Sequence, residues 1–385
     1  MALVDLDADG DLDAVVAAAP TASRVYLNQG GTQGGTEGIF LDSAQVLPAA
    51  ISVAIGDLDA DGDPDCFAAR AAADQVWLNN GSGAFATSQT LPTATSSNDV
   101  ALGDLDSDGD LDAFVVSAAF NDLVWINQGG AQGGTGGVFA DSGQTLGPSA
   151  SRGVALGDLD ADGDLDAYVA AANGQPDHAW MNQGDAVFAD SGQALGTDSS
   201  VDVALAYLDG DGRLDAFVAT LGPERVWLGL LGGSGTGFFE ELATYMAGYR
   251  IFGMAVADFD GDGSLDVAAT ALDLLDDDEF SRLWLNAGDG SGELAEAAAL
   301  PFWFPLKAGD VDGDGDVDLV GREPFITRIT LNDGSGTFQE SAETMAFDAD
   351  GIELADIDGD GDLAALLSQQ AADPLPVWIN PGGAH

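Results

Sequence analysis

Basic side chains are scarce: 10 Lys and Arg stand against 66 Asp and Glu in 385 residues, and Lys307 is the one lysine. The resulting formal charge of −56 repels phosphate backbones, which excludes nucleic-acid binding and electrostatic docking onto anionic membranes. Cys66 has no second cysteine to pair with, so stability must come from packing or from metal. No stretch approaches the roughly 18 consecutive apolar residues of a membrane span, so membrane insertion is not expected. Met1 is followed almost at once by DLDADGDLD, so no signal peptide is expected to open this chain. What is present is a 46% hydrophobic fraction and 53 glycines, enough for a substantial core and unlike a disordered acidic tail.

One acidic nonapeptide recurs eight times, starting at Asp5, Asp57, Asp104, Asp158, Tyr207, Asp258, Asp310 and Asp356. Successive starts lie 46 to 54 residues apart, the spacing of propeller blades rather than of short solenoid coils. Each copy follows a short apolar stretch ending in a small residue, such as SVAIG or GVALG, and precedes an apolar run such as AFVVSA. An aromatic-centred segment comes next: VYLN, VWLN, VWIN, AWMN, VWLG, LWLN, ITLN and VWIN. A Gly-rich turn then leads to a fourth segment, with Phe near its start at Phe40, Phe85, Phe139, Phe188, Phe239 and Phe338. Four short strands per repeat and no helical period predict an all-β fold, a β-propeller of four-stranded blades. Eight blades are expected, the last lacking its outer strand; the alternative is a seven-bladed ring with a displaced repeat, or a fragment of something longer. The whole chain, 1–385, reads as one propeller domain with repeats near 1–48, 49–95, 96–149, 150–198, 199–247, 248–301, 302–346 and 347–385. Closure is expected to rest on packing between the first and last blades.

The nonapeptide reads D-x-D-x-D-G-x-x-D. Alternating carboxylates on a tight loop can converge on one point, Gly at position 6 permits the reversal, and the ninth residue closes the cage. Hard oxygen ligands in this number select Ca²⁺ over Mg²⁺, and the absence of clustered His or Cys argues against Zn²⁺. Position 7 is Asp in six copies but Arg213 in the fifth and Ser264 in the sixth, which suggests a backbone-carbonyl role. An EF-hand is excluded, because Val16, Ala68, Val115 and Val169 stand where a bidentate Glu is needed. Tyr207 removes one carboxylate from the fifth loop and Ala364 removes the closing one from the eighth, so six good sites and two weakened ones are expected. The loops hold 36 Asp, and solvated acidic turns with so many unpaired carboxylates would repel strongly.

The small residue, the Asp-rich loop and the apolar strand behind it resemble the FG-GAP/VCBS repeats that build the propellers of integrin α-chains and of many secreted bacterial proteins. The resemblance covers essentially the whole chain. It implies that each loop joins the first and second strands of a blade and holds Ca²⁺ on one face of the ring. By that likeness the ligands of the first loop are Asp5, Asp7, Asp9 and Asp13, with the Asp11 carbonyl. The second has Asp57, Asp59, Asp61, Asp63 and Asp65, and the third Asp104, Asp106, Asp108, Asp110 and Asp112. The fourth has Asp158, Asp160, Asp162, Asp164 and Asp166, and the fifth keeps Asp209, Asp211, Arg213 and Asp215. The sixth has Asp258, Asp260, Asp262, Ser264 and Asp266, and the seventh Asp310, Asp312, Asp314, Asp316 and Asp318. The eighth keeps Asp356, Asp358, Asp360 and Asp362. Family membership implies extracellular adhesion or ligand binding without naming the ligand.

Other features read more plainly. The strand tryptophans Trp77, Trp125, Trp180, Trp227, Trp284 and Trp378 recur at one position and are expected between blades rather than as a sugar-stacking ladder. Trp303, in PFWFP, could cap the channel or form a binding lip, and the run Asp276 to Glu279 reads as a solvated loop. His178 is a weak candidate for a general base, His385 is terminal, and Cys66 is expected to be buried and inert. The glycine-rich turns lack the following helix a phosphate loop needs. The leading expectation is a non-enzymatic, extracellular, calcium-binding propeller that binds glycan or protein. A polysaccharide lyase is disfavoured, because Arg24, Arg70, Arg152, Arg225 and Arg250 are scattered. A scaffold or filament subunit, self-assembling by completion of the last blade, is the third reading.

Overall fold

In the computed structural model of the chain the residues described are all except 31–34, 37, 95, 148–149, 223, 231–237, 246–248, 274–278, 302, 324, 346–348, 369–375 and 381–385. The acidic run 276–278 and His385 therefore lie outside the described residues, and Trp303 is described only as strand backbone. The fold is all-β, an eight-bladed propeller: seven sheets have four consecutive antiparallel strands, and among the described residues the last has three. The last blade thus lacks its outer strand, as expected. The chain forms two compact units, one comprising Met1–Leu27, Asp42–Leu205 and Gly229–Glu240, the other Asn28–Leu41, Ala206–Leu228 and Glu241–His385.

The second blade shows the common plan, with strands Ser52–Gly56, Asp65–Ala69, Ala73–Leu78 and Ala86–Ala94. The small residue before each acidic loop pairs with the ninth loop residue: Gly56 with Asp65, Gly103 with Asp112, Gly157 with Asp166, Gly309 with Asp318. Its smallness has a steric cause. A Cβ on Gly56 would lie 2.5 Å from Leu111 Cδ1 of the next blade, and one on Gly103 would lie 2.7 Å from Leu165 Cδ1.

Packing is between blades, because a lone four-stranded sheet cannot cover both of its faces. In the first unit Trp77 joins Leu6, Val15 and Val25 of the preceding blade, and Trp125 joins Phe67 and Val76. Trp77, Trp125, Trp180, Trp227 and Trp284 are all buried, which places them in the core, while Trp378 is half-buried. Edge-to-face ring pairs recur across successive blades: Phe67 with Phe139, Phe114 with Phe188, Tyr168 with Phe239, and Phe259 with Phe338 in the second unit. Cys66 is buried in this core, and burial pushes its thiol well above the usual range.

The first unit also carries a polar clamp. Gln45 and Gln89, on fourth strands, and Gln144 and Gln193, three residues past the ends of theirs, each reach the fourth, phenylalanine-bearing segment of the next blade. The Gln89 amide donates to the Phe139 carbonyl at 2.8 Å and accepts the Phe139 N–H at 2.8 Å. Gln193 repeats this with Phe239, and Gln45 and Gln144 accept the N–H of Phe85 and Phe188.

At the other end of these blades a buried Asp opens the third strand. Asp74, Asp122 and Asp177 accept hydroxyl hydrogen bonds from Ser97, Ser151 and Ser200 of the following blade at 2.9, 2.8 and 3.0 Å. Burial pushes the Asp122 carboxyl up to about 7, against the downward pull of the Ser117 N–H and the Ser151 hydroxyl. The folded chain therefore keeps a proton that the unfolded chain releases near pH 4. Its stabilising contribution is full below pH 4 and is lost as pH rises towards 7, by up to about 4 kcal/mol. Asp122→Asn, neutral throughout, is expected to gain on the wild type over that window when urea midpoints are compared. A difference independent of pH would refute the assignment.

Candidate metal centres in the blade loops

Each acidic loop turns because two of its positions adopt left-handed backbone. Position 6 is always Gly, with φ between 88° and 102°, and position 4 is Ala8, Ala60, Ser107 and Ala161 in the first four loops but Gly in the rest. The first aspartate fixes the turn. Asp5 Oδ1 accepts the Asp9 N–H at 3.2 Å and Oδ2 the Gly10 N–H at 3.1 Å. Asp57, Asp104 and Asp158 repeat this pair of bonds, and Asp258 and Asp310 accept N–H groups from positions 4 and 6.

The ninth aspartate is a structural carboxylate as well as a candidate ligand. Asp13, Asp65, Asp112, Asp166, Asp215, Asp266 and Asp318 are fully buried. Asp112 Oδ2 accepts the Leu105 N–H at 3.1 Å and Oδ1 the Asn127 N–H at 2.8 Å; Asp65, Asp166, Asp266 and Asp318 do the same in their loops. Burial nevertheless raises Asp112 and Asp166 to about 7, and Asp65, Asp266 and Asp318 to about 6, despite those two N–H donors.

Acceptors without donors gather at positions 3, 5 and 7, with one more at position 1 of the eighth loop, Asp356 Oδ1. Asp9 Oδ2, both oxygens of Asp11, Asp59 Oδ1, Asp106 Oδ1 and both oxygens of Asp110 are buried without a hydrogen-bond partner. Carboxylate oxygens converge within 4.8 Å in the sets Asp5, Asp7 and Asp13; Asp57, Asp59 and Asp61; Asp106, Asp110 and Asp112; and Asp158, Asp160 and Asp166. Position 7 therefore offers more than the carbonyl anticipated from its variability, since in the first and third loops its carboxylate turns inward. Burial, the side chain of the position-5 Asp and its charge push Asp11 and Asp110 up to about 7. Position-3 carboxyls are raised too, first by burial and then by neighbouring aspartates. Such a cage resists its own negative charge, and its grouped carboxylate oxygens could hold a hard cation.

One set of residues carrying this geometry went unread in the sequence. The asparagine ending each third strand reaches back to the preceding blade and donates its side-chain amide to the carbonyl at loop position 2. In the first unit Asn79 bonds Leu6 at 2.7 Å, Asn127 bonds Leu58 at 2.8 Å and Asn182 bonds Leu105 at 2.7 Å. In the second, Asn286 bonds Leu208 at 2.6 Å, Asn332 bonds Phe259 at 2.7 Å, Asn28 bonds Ile357 at 2.9 Å, and Asn380 bonds Val311. The Asn28–Ile357 bond joins the first and last blades. The signal was the final N of VYLN, VWLN and their relatives, and in the fifth repeat, VWLG, Gly229 has no side chain to make the bond.

The arginines are also ordered. Arg24, Arg225, Arg282 and Arg328 occupy one third-strand position, each ion-paired to a carboxylate on its neighbouring strand: Asp42, Glu241, Glu296 and Glu340. His178 holds the same place in the fourth blade, 3.3 Å from Asp190 and stacked on Trp180. Lys307 pairs with Glu353 at 3.1 Å.

Known structures share the architecture. The chain is similar to rhamnogalacturonan lyase YesW (13% identity, 99% of this chain and 71% of that one, TM-score 0.56). It is also similar to the V. cholerae biofilm matrix protein Bap1 (13%, 99% and 87%, 0.51) and to a putative 6-phosphogluconolactonase from Bacteroides uniformis (13%, 87% and 96%, 0.52). At such identities the likeness shows the fold alone. No curated protein sequence matches the chain. The FG-GAP-like repeat, in contrast, matches in sequence at residues 5–68, 57–115, 158–218, 208–269 and 310–366. These matches span well over half the chain and fall on the acidic loops just described, so the protein belongs to the FG-GAP-like repeat family.

Proposed function

We propose that this is a non-enzymatic, extracellular, calcium-binding β-propeller that serves as a binding or adhesion module for a glycan or a protein. The observation that carries the calcium reading is the set of buried, donor-less carboxylate oxygens at loop positions 3, 5 and 7. Six loops keep the full D-x-D-x-D-G-x-x-D frame, and in these the aspartates at positions 1, 3, 5 and 9, with position 7, would hold the ion. When bound, calcium supplies positive charge that the loops lack. The chain's own part is to fix the loop through position 1 and to anchor it to the second strand through position 9. Six ions, one for each intact loop, would bring the formal charge from −56 to −44 and leave the surface strongly acidic.

The non-enzymatic reading draws support from the pairing of Arg24, Arg225, Arg282 and Arg328 with their own blades' carboxylates, where a lyase acting on uronates needs free cations and a base. No helix among the described residues is long and apolar enough to cross a membrane. The test is a glycan array probed in millimolar Ca²⁺ beside an EDTA-treated twin. Binding that disappears with EDTA is the expected result and makes the protein a calcium-dependent lectin or adhesin. Turnover of pectin or alginate, seen as new ultraviolet absorbance from unsaturated ends, would replace this reading with the lyase one.

A further inference from the structure

The fifth loop departs from the others at two positions together. Tyr207 replaces the first aspartate and Arg213 replaces the aspartate, or serine, found at position 7 elsewhere. Tyr207 is 53% exposed and brings no carboxylate to the first position, where Asp5 and Asp57 accept the N–H groups of positions 5 and 6. Yet the turn is formed: Gly210 and Gly212 keep the left-handed backbone at φ 71° and 88°. Asp209 Oδ1 accepts the Asp211 N–H at 2.9 Å, Asp211 Oδ1 the Arg213 N–H at 2.8 Å, and Asp215 Oδ2 the Leu208 N–H at 2.7 Å.

Position 7 is where the first and third loops direct a carboxylate inward. At that position the fifth loop has a largely covered cation: the Arg213 side chain is only 15% exposed and its Nε lies 3.3 Å from Asp211 Oδ2. The charges agree with this geometry. An intact loop with five aspartates carries −5 and would reach −3 on taking up one divalent ion, whereas the fifth loop, with three aspartates and one arginine, stands at −2 without any ion.

We infer that Arg213 is a tethered cation that takes the place of the metal in the fifth loop, so this loop folds without calcium and binds none. The inference rests on the reading that the intact loops bind calcium, and it adds that the array is selective, with one position filled by the chain itself. A guanidinium suits the task because it stays charged at any physiological pH and presents several N–H donors to carboxylate oxygens.

The test compares wild type, Arg213→Gln, Arg213→Lys and the double variant Tyr207→Asp/Arg213→Asp by thermal unfolding in Ca²⁺ and in EGTA, and by ion counting in native mass spectrometry. Arg213→Gln is expected to lower Tm by about 2 °C or more, to the same extent in Ca²⁺ and EGTA, with Arg213→Lys recovering part of the loss. The double variant is expected to bind one more Ca²⁺ than wild type and to be less stable than wild type in EGTA. Arg213→Gln without effect in EGTA would overturn the inference, as would a double variant that binds no more ions than a calcium-loaded wild type. If wild type binds no calcium at all while Arg213→Gln still destabilises in EGTA, the tethered cation stands and the calcium reading falls.

Discussion

Chelation of calcium is expected to collapse the stability of this protein rather than trim it. Each ion that binds the folded chain alone adds about 2.7 kcal/mol when its concentration is 100 times Kd. Six intact loops acting independently would then add about 16 kcal/mol, more than the 5–15 kcal/mol by which ordinary domains are stable. The structural source of the effect is visible in the third loop, where Asp106, Asp110 and Asp112 bring oxygens within 4.8 Å of one another and the Asp110 carboxylate has no donor. Monovalent salt cannot replace the ion, because screening acts over about 8 Å at physiological ionic strength, farther than these charges are apart. Tryptophan fluorescence is a suitable probe, since Trp77, Trp125, Trp180, Trp227 and Trp284 are buried between blades. The expected outcome is a large fall in melting temperature in EGTA, restored by Ca²⁺ and poorly by Mg²⁺, which demands tighter octahedral geometry. A melting temperature indifferent to EGTA would remove calcium from the account of this fold.

The blade plan and the loop positions were legible because both are periodic. A nonapeptide recurring every 46 to 54 residues fixed the register, and the structure pairs the residue before each loop with the ninth loop position as that register requires. The last blade was legible for the same reason: its loop at Asp356 and its VWIN near residue 380 keep the register of the other seven. Chemistry that depends on neighbouring blades was harder to read. The role of Asn127 lies in Leu58, 69 residues away, and nothing local distinguishes a strand-ending asparagine that donates across blades from one that closes a turn. The arginines looked scattered in sequence, yet Arg24, Arg225, Arg282 and Arg328, at least 46 residues from one another, share one strand position. The ninth aspartate was read as a ligand because it belongs to the acidic pattern. Only the fold shows that both of its oxygens accept backbone N–H groups.

That asparagine latch is where a single substitution should cost most. Asn127 is fully buried; its amide donates to Leu58 O at 2.8 Å and Leu111 O at 3.2 Å, and its Oδ1 accepts the Gly137 N–H at 3.1 Å. Its own N–H holds Asp112, so the residue ties one blade's loop to the next blade's third strand. Asn127→Ala keeps the backbone bond and strips four side-chain ones, the fourth being the Gly129 N–H that Oδ1 accepts at 3.4 Å, and so removes a partner from two carbonyls and two N–H groups. At about 1–3 kcal/mol for each unsatisfied group the expected loss is about 3–5 kcal/mol. Asn127→Asp should be at least as damaging, because it turns a donor into a charged acceptor facing two carbonyls and adds a carboxylate beside Asp112. The converse substitution, Gly229→Asn, supplies the missing side chain in the fifth blade and should be neutral or stabilising. Denaturant midpoints decide the matter when measured both with Ca²⁺ and with EGTA. The latch contains no metal ligand of its own, so Asn127→Ala must weaken the protein under both conditions. A loss confined to the calcium-loaded form would mean that Asn127 acts only by placing Asp112 for the ion, and that the blades are held together by their apolar cores alone.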